Sequence, residues 1–556
     1  MDLGPKTLIR RSLQSQYIKS QEAATKPSAA NSAPANDGAA LLAFARGIGV
    51  KCRTTTTQGA ALNWAIERPQ TLDKMSPVLY GLGIVLLIFS TTMLIPLGVS
   101  FWLHDDALLA YDKAFFITAA AGSALWLTAR SGPRDLKIRD GYMLVTAAWT
   151  VLPAFAATPL LLYLPGLSFT EAYFETMAGL TTTGATILSD LDKLPPSIHI
   201  WRGLLQWLGG MGIIVLFVAI LPLLGIGGRQ IFRAETPGPM KDTQLTPRIA
   251  STAKRLWLLY AGLTLICALC YRLAGMSWLD AVVHSFATMS LGGFSTHDAS
   301  YGFFNSPLIE AITIVFMLIA GMNFATHFLA LSKRSFEPYR QDWEASWFLT
   351  AMIVSSLTVA VFLWLSGVYP SLATAIRYAA FNVISIGTTT GFANTDYNVW
   401  PMFVPVLMLL LCATASSAGS TGGGIKMIRT QLLLLQAWRE LSKLLHPNAV
   451  IPVRLNGHVI PNHIVFAVLA FMSLYGASII AMTMMLLASG LDLTTAFSAV
   501  VACITSTGPG LNEVGPATTY ASLSDFQTWV LSLAMLLGRL EIFTVMVIFT
   551  PAFWRK

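Results

Sequence analysis

The sequence predicts an all-α integral membrane protein in which four pseudo-symmetric repeats of helix, re-entrant pore loop and helix surround a central pore, preceded by two extra transmembrane helices. Three observations lead there. Of 556 residues, 54% are hydrophobic and only 12% charged, and the mean hydropathy is +0.61, a balance foreign to water-soluble chains of this length. A short hydroxyl- and glycine-rich segment recurs four times, at intervals of about a hundred residues. The loops between apolar runs alternate between rich and poor in Lys and Arg, as repeated membrane crossing requires.

The net charge of +8 is no nucleic-acid footprint, because the basic residues lie in short segments between apolar runs. Cys52, Cys267, Cys270, Cys412 and Cys503 are too scattered for a disulfide framework. The Cys267-x-x-Cys270 pair lies on an apparent membrane helix with no second ligand pair, so it reads as small packing residues.

Residues 1–75 are polar, Ala/Ser/Thr/Gln-rich and basic, which predicts a disordered cytoplasmic tail. The same Arg-rich, acid-poor composition also suits an organelle transit peptide, and Met75 is an alternative start. Residues 76–140 contain two leading apolar runs, 78–99 and 115–128, parted by an acidic turn. Pore repeats follow at 141–228, 229–335, 336–445 and 446–556. The first is expected to span at 142–164, re-enter at 169–180 and return at 204–224. The second uses 256–273, 278–289 and 308–331, the third 347–365, 372–386 and 402–445, the fourth 464–487, 493–504 and 526–553. The re-entrant runs are too short to cross about 30 Å of hydrocarbon, so they fold back. Basic residues then cluster on one side, at Arg229, Arg233, Lys241, Arg248, Lys254 and Arg255, at Lys333, Arg334 and Arg340, at Arg439, Lys443 and Arg454, and at Arg555 and Lys556. That side is cytoplasmic and holds both termini, with ten spans between them.

Each re-entrant run ends in the recurring segment: Thr181-Thr182-Thr183-Gly184, Ser290-Leu291-Gly292-Gly293, Thr388-Thr389-Thr390-Gly391 and Thr505-Ser506-Thr507-Gly508. Twelve residues before the four equivalent glycines stand Ala172, Ala281, Ala379 and Ala496, and one helical turn on stand Glu175, His284, Asn382 and Ala499. Shortly after the glycines come Asp190, Asp298, Asp396 and Glu513.

Non-helical backbone at membrane depth must lie in protein or line a polar path. A monovalent cation crosses only where its water shell is replaced, which rings of backbone carbonyls and threonine hydroxyls can do. Glycine permits the positive φ that turns successive carbonyls to one axis. The candidate filter is therefore Thr182, Thr183, Gly184, Gly292, Gly293, Thr389, Thr390, Gly391, Ser506, Thr507 and Gly508. The four carboxylates form a candidate outer acidic ring that concentrates cations.

The long third-repeat run is broken by Ser416-Ser417-Ala418-Gly419-Ser420-Thr421-Gly422-Gly423-Gly424, followed by Lys426. So many glycines cannot continue a stable helix, and a break beneath the filter can obstruct ions. Gly419, Gly422, Gly423, Gly424 and Lys426 are the candidate gate. Arg539 lies near the middle of the last apolar run, where a lone charge costs at least about 2.5 kcal/mol. Glu541, two residues on, points to another face. Carbonyls of the glycine-rich segment suit Arg539 better, making it a closed-state tie and an electrostatic barrier. The alternative is a buried carboxylate partner such as Glu175.

These four motifs, the leading helix pair and the closing Gly538-Arg539-Leu540-Glu541-Ile542-Phe543-Thr544 resemble the TrkH type of the Trk/Ktr/HKT potassium transporter superfamily, over residues 78–556. Two departures stand out, Leu291-Gly292 in the second loop and Pro509 after the fourth glycine. The resemblance implies potassium uptake across a bacterial inner membrane, K+ as the transported ion with no organic cofactor, and an intramembrane gating loop at the glycine-rich break. It also implies a homodimer and a cytosolic nucleotide-binding regulatory subunit of the TrkA type, with membrane lipid and no nucleic acid as the other surroundings. Broken helices equally suit a secondary transporter of another solute with a midplane site, but such chains show two related halves and this one shows four units. An enzyme is not expected: His284 and His327 are isolated, and no H-E-x-x-H occurs.

Overall fold

The computed structural model describes residues 70–132, 137–211, 249–414, 416–455 and 457–555. The expected tail at 1–75 lies almost wholly outside them. So do the end of the first returning helix, 212–224, and the basic residues Arg229, Arg233, Lys241 and Arg248.

Helices dominate because the apolar runs cannot leave backbone amides unpaired in hydrocarbon. The leading pair is α1 (Gln70–Thr92), continued after a break at Met93 by α2 (Leu94–Leu103), and α3 (Leu108–Ala129). The first repeat contains α4 (Ile138–Ala156), the pore helix α5 (Phe169–Leu180) and α6 (Pro196–Gly210). The second comprises α7 (Ile249–Leu273), the pore helix α8 (Trp278–Ser290), α9 (Pro307–Gly321) and α10 (Phe324–Lys333). In the third come α11 (Trp343–Leu365), the pore helix α12 (Leu372–Gly387), α13 (Phe403–Thr414) and α14 (Met427–Leu445). The fourth has α15 (Asn462–Ala488), the pore helix α16 (Leu493–Ile504), α17 (Asp525–Arg539) and α18 (Glu541–Met546). The described strands are a two-stranded hairpin, Arg454–Leu455 with His458–Val459.

All four pore helices begin with a side-chain cap. Ser168, Ser277, Ser371 and Asp492 accept from the amides of Glu171, Asp280, Thr374 and Thr495, which satisfies donors the helix itself leaves open. Ala172, Ala281, Ala379 and Ala496 have no exposed surface and lie inside the packing of the pore helices.

Among the described residues, six helices are long and apolar enough to cross a membrane, or eight if two bent pairs count as one span each. The ten expected spans also include the returning helix of the first repeat, whose end lies outside the described residues, and that of the third repeat, which is broken. The described returning helices are short: α9 and α17 have 15 residues and α13 has 12, and of the first, α6, 15 residues are described. The expected straight spans at 308–331 and 526–553 are bent by 94° and 104°. Asn323 starts α10 by accepting the Ala325 amide at 2.9 Å. Glu541 turns the other break with φ of 53°, its carboxylate held by Arg429 at 2.7 Å. Only the third break was legible in the sequence, because only it is rich in glycine.

Candidate functional site

The four pore helices deliver their C-terminal loops to one point. In each loop the residue before the glycine sends its amide back into its own helix: Thr183 to Ala178 O, Gly292 to Ala287 O, Thr390 to Ser385 O and Thr507 to Ala502 O, all at 2.8 Å. The glycines have φ of 78°, 82°, 91° and 95° (Gly184, Gly293, Gly391, Gly508), and two residues earlier Thr182, Leu291, Thr389 and Ser506 have φ of 55°, 53°, 64° and 58°. Left-handed backbone at a residue with a Cβ costs roughly 1 kcal/mol or more, and here it recurs at four equivalent positions. Such strain persists where the surroundings impose it, commonly at functional sites.

The loops close on one another in a ring. A Cβ on Gly184 would lie 2.1 Å from Gly292 O, one on Gly293 2.1 Å from Thr390 O, one on Gly391 2.1 Å from Thr507 O, and one on Gly508 2.5 Å from Thr183 O. Each glycine thus presses on the next loop's carbonyl, in the order one, two, three, four and back to one. No side chain fits at any of the four positions. The pore-helix C-termini meet at this ring, and the partial negative charge of a helix C-terminus favours a cation there.

The residues nine before the glycines hold the loops' far arms. Glu175 accepts from Ile187 N at 2.9 Å, His284 Nε2 meets Ser295 Oγ at 3.0 Å, and Asn382 donates to Asn394 Oδ1 at 2.6 Å. In the fourth repeat this position is Ala499, and its neighbour Ser498 accepts from Leu511 N at 2.9 Å instead. Glu175 is also paired with Arg202 at 2.9 Å, both side chains almost wholly buried. Arg202 further donates to Ser295 O at 3.0 Å, joining the first loop to the second. Sequence reasoning missed Arg202 and Gln206, which show in the sequence only as polar residues on the mostly apolar α6, which also carries Ser197 and His199.

The candidate acidic ring is used locally. Asp190 pairs with Lys193 at 2.8 Å, Asp298 accepts from Leu191 N at 3.0 Å, and Asp396 caps a turn through Asn398 N at 2.9 Å. Glu513 is exposed at the start of another turn.

Beneath the ring lies the glycine-rich segment between α13 and α14. Gly423 N donates to Thr389 Oγ1 at 2.8 Å, and a Cβ on Gly423 would lie 1.9 Å from Thr505 O. Thr421 Oγ1 donates to Met289 O at 3.0 Å, and Gly419 O accepts from Phe324 N at 3.1 Å. Lys426, buried and left-handed with φ of 76°, turns its ammonium back to Gly422 O. Both stems are held by Glu344 of α11, which accepts from Ala418 N at 2.7 Å and Ile428 N at 3.2 Å; this tie too was missed.

Arg539 ends α17 between the ring and this segment. Its Nη1 donates to Thr182 Oγ1 at 3.1 Å and Thr421 O at 3.3 Å, and its Nη2 donates to Gly210 O at 3.0 Å and to Gly209 O. The alternative pairing with Glu175 does not occur, because Arg202 holds that carboxylate. Cys267 and Cys270 are free thiols.

Residues 108–556 match the family model TrkH, described as a cation transport protein. The chain is 46% identical over 475 residues to the Trk system potassium uptake protein TrkH of Salmonella typhimurium, covering 85% of this chain and 98% of that one. It is 36% identical over 475 residues to the Trk system potassium uptake protein TrkG of Escherichia coli, covering 85% and 97%. The crystal structure of the potassium transporter TrkH from Vibrio parahaemolyticus superimposes with a TM-score of 0.78 at 43% identity, covering 86% of this chain and 99% of that one.

Proposed function

The chain belongs to the TrkH family of cation transport proteins, and from that premise we propose that it takes up potassium through a selectivity filter made by its four glycine loops. The observation that carries this reading is the closed ring of glycine-to-carbonyl contacts. It brings the backbone of four loops to one axis at the ends of four pore helices, where a dehydrated cation finds oxygen ligands and negative helix ends. Thr182, Thr183, Gly184, Gly292, Gly293, Thr389, Thr390, Gly391, Ser506, Thr507 and Gly508 form this filter.

In the same reading the segment with Gly419, Gly422, Gly423, Gly424 and Lys426 is the gate, and Arg539 is its latch and an electrostatic barrier. Support comes from the contacts of Thr421, Gly422 and Gly423 with the undersides of three loops and from the bonds of Arg539 to Thr182 and Thr421. Asp190, Asp298, Asp396 and Glu513 raise cation concentration at the outer mouth. The chain crosses a bacterial inner membrane with both termini in the cytoplasm, divided into the leading pair at 76–140 and pore repeats at 141–228, 229–335, 336–445 and 446–556. It acts as a homodimer under a nucleotide-binding regulatory subunit of TrkA type, and catalyses no covalent chemistry; these partners rest on family membership.

The test is potassium against sodium uptake in proteoliposomes at a set voltage, for wild type and Gly391→Ser. A side chain at Gly391 meets Thr507 O and requires φ of 91°, so the variant is expected to lose the potassium preference of the wild type. Unchanged selectivity would sink the filter reading.

A further inference from the structure

The second loop departs from a rule that the other three obey. In those three the hydroxyls three and one residues before the glycine bond to each other: Thr181 to Thr183 at 2.8 Å, Thr388 to Thr390 at 2.7 Å and Thr505 to Thr507 at 2.8 Å. The second loop has Ser290 and Gly292 there. Ser290 Oγ bonds instead to Ala287 O at 3.1 Å, and Gly292 has no side chain. This quadrant therefore lacks the cross-brace and has two glycines in succession, the most pliable backbone available.

Gln206 fills the gap from outside the repeat. It projects from α6 with no exposed surface, so close that a Cβ on Gly292 would lie 2.5 Å from its Cδ. Its Nε2 donates to Gly292 O at 2.5 Å, and its Oε1 accepts from Phe294 N at 3.1 Å. One partner is an acceptor and the other a donor, which settles the orientation of the amide. The single carboxamide thus clamps the backbone on both sides of Gly293, and it holds the same Gly292 carbonyl on which Gly184 of the first loop presses.

The fourth repeat shows that this polar residue is not demanded by the helix itself. Gly209 of α6 and Gly538 of α17 are in register: Cβ atoms there would lie 2.0 Å from Leu180 O and 1.9 Å from Ile504 O, each four residues before its loop glycine. Three residues earlier α6 carries Gln206 and α17 carries Met535, both fully buried. α17 adjoins the first loop, reaching Thr182 through Arg539, and that loop has its own threonine bridge. Of these two helices, the one carrying the carboxamide is the one beside the loop that lacks a bridge.

We propose that Gln206 is a specificity-determining residue of potassium transport, a positioning residue whose carboxamide holds the Gly292 carbonyl in the second quadrant of the filter in place of the threonine bridge. The inference rests on the filter reading above. Its physical content is that ion discrimination needs a ring that does not contract around a smaller ion, and Gln206 stiffens the quadrant least able to resist.

The experiment measures potassium and sodium uptake side by side in proteoliposomes holding wild type, Gln206→Leu, the double variant Gln206→Ala/Gly292→Thr, or Gly391→Ser. Leucine keeps the volume and removes both bonds. The preference for potassium over sodium is expected to fall about tenfold in Gln206→Leu, as for one backbone hydrogen bond left unmade. A lower yield of folded protein reduces both fluxes alike and leaves their ratio unmoved. Gly292 does not have positive φ, so threonine is stereochemically allowed once Gln206 is shortened, and the double variant is expected to regain the wild-type ratio. Wild-type selectivity in Gln206→Leu, with Gly391→Ser altered, overturns the proposal and leaves the filter standing. If Gly391→Ser is also unaltered, the filter reading itself fails. Should Gln206→Leu not fold, the double variant decides alone: a wild-type ratio supports the bridge role and a lost one overturns it.

Discussion

Arg539 donates to the main-chain carbonyl of Thr421 at 3.3 Å, across 118 residues of sequence, and the same Nη1 reaches the Thr182 hydroxyl at 3.1 Å. One guanidinium therefore touches both the proposed gate and the underside of the first filter loop. Removing it loosens the segment and takes a positive charge off the proposed ion path. Arg539→Ala is expected to raise basal potassium flux about tenfold, the effect of roughly 1.4 kcal/mol on the closed state, with selectivity unchanged. Flux from liposomes without any regulatory subunit measures it, and wild-type flux would remove Arg539 from the gate.

Glu344 makes a second, chemically distinct tie to the same segment. Its Oε1 accepts the amides of Ala418 and Ile428, one at each stem. Glu344→Ala leaves two buried amides unpaired, a cost of about 1–3 kcal/mol each, whereas Glu344→Gln keeps one acceptor oxygen. Basal flux should rise in the order wild type, glutamine, alanine. Equal flux in all three would show that the stems are held by the surrounding helices.

The Glu175–Arg202 pair is buried on both sides and braces the first two loops from behind. Breaking a buried pair from one side costs about 3–5 kcal/mol, because the remaining charge is stranded. Glu175→Gln and Arg202→Met are each expected to lower the thermal unfolding temperature of the purified protein more than the double variant does. Additive losses would argue that the two residues act independently.

His297 carries the pH dependence. It lies in the loop after Gly293 with Nε2 3.4 Å from Asp280 and Nδ1 against Asp192 of the first repeat, its ring stacked on Phe303. Partial burial works against the charged ring, but the carboxylates of Asp280 and Asp192 beside it outweigh that and raise the pKa above the ordinary histidine value. A raised folded pKa means that this contribution is complete below about 6.5, the unfolded value, and is lost as pH rises through the folded one. Thermal stability should therefore decline from mildly acidic to mildly alkaline pH, and His297→Gln should flatten that part of the profile. A wild-type slope in the variant would assign the effect to another group.

Much of this architecture was legible in the chain because hydrocarbon imposes rules that sequence reports directly. Apolar runs of spanning length marked the long helices, and the re-entrant helices were located to within a residue: 169–180 against Phe169–Leu180 and 372–386 against Leu372–Gly387. The loop glycines recur in register because four backbone crossings of one kind need four residues without a Cβ, and all four show positive φ.

What only the tertiary structure decided is which groups meet across repeats. No spacing reveals that Gln206 donates to the Gly292 carbonyl 86 residues away, that Glu344 holds both stems of the glycine-rich segment, or that Arg202 claims the carboxylate of Glu175. The breaks after Gly321 and Arg539 escaped the sequence for the same reason. Their turns are held by Asn323 and by the Arg429–Glu541 pair, not by local glycine content. Periodicity and hydropathy express what a segment needs from its solvent, and those needs are local. Partners for polar groups buried away from water are found through space, so they exist only once the four repeats have closed around their axis.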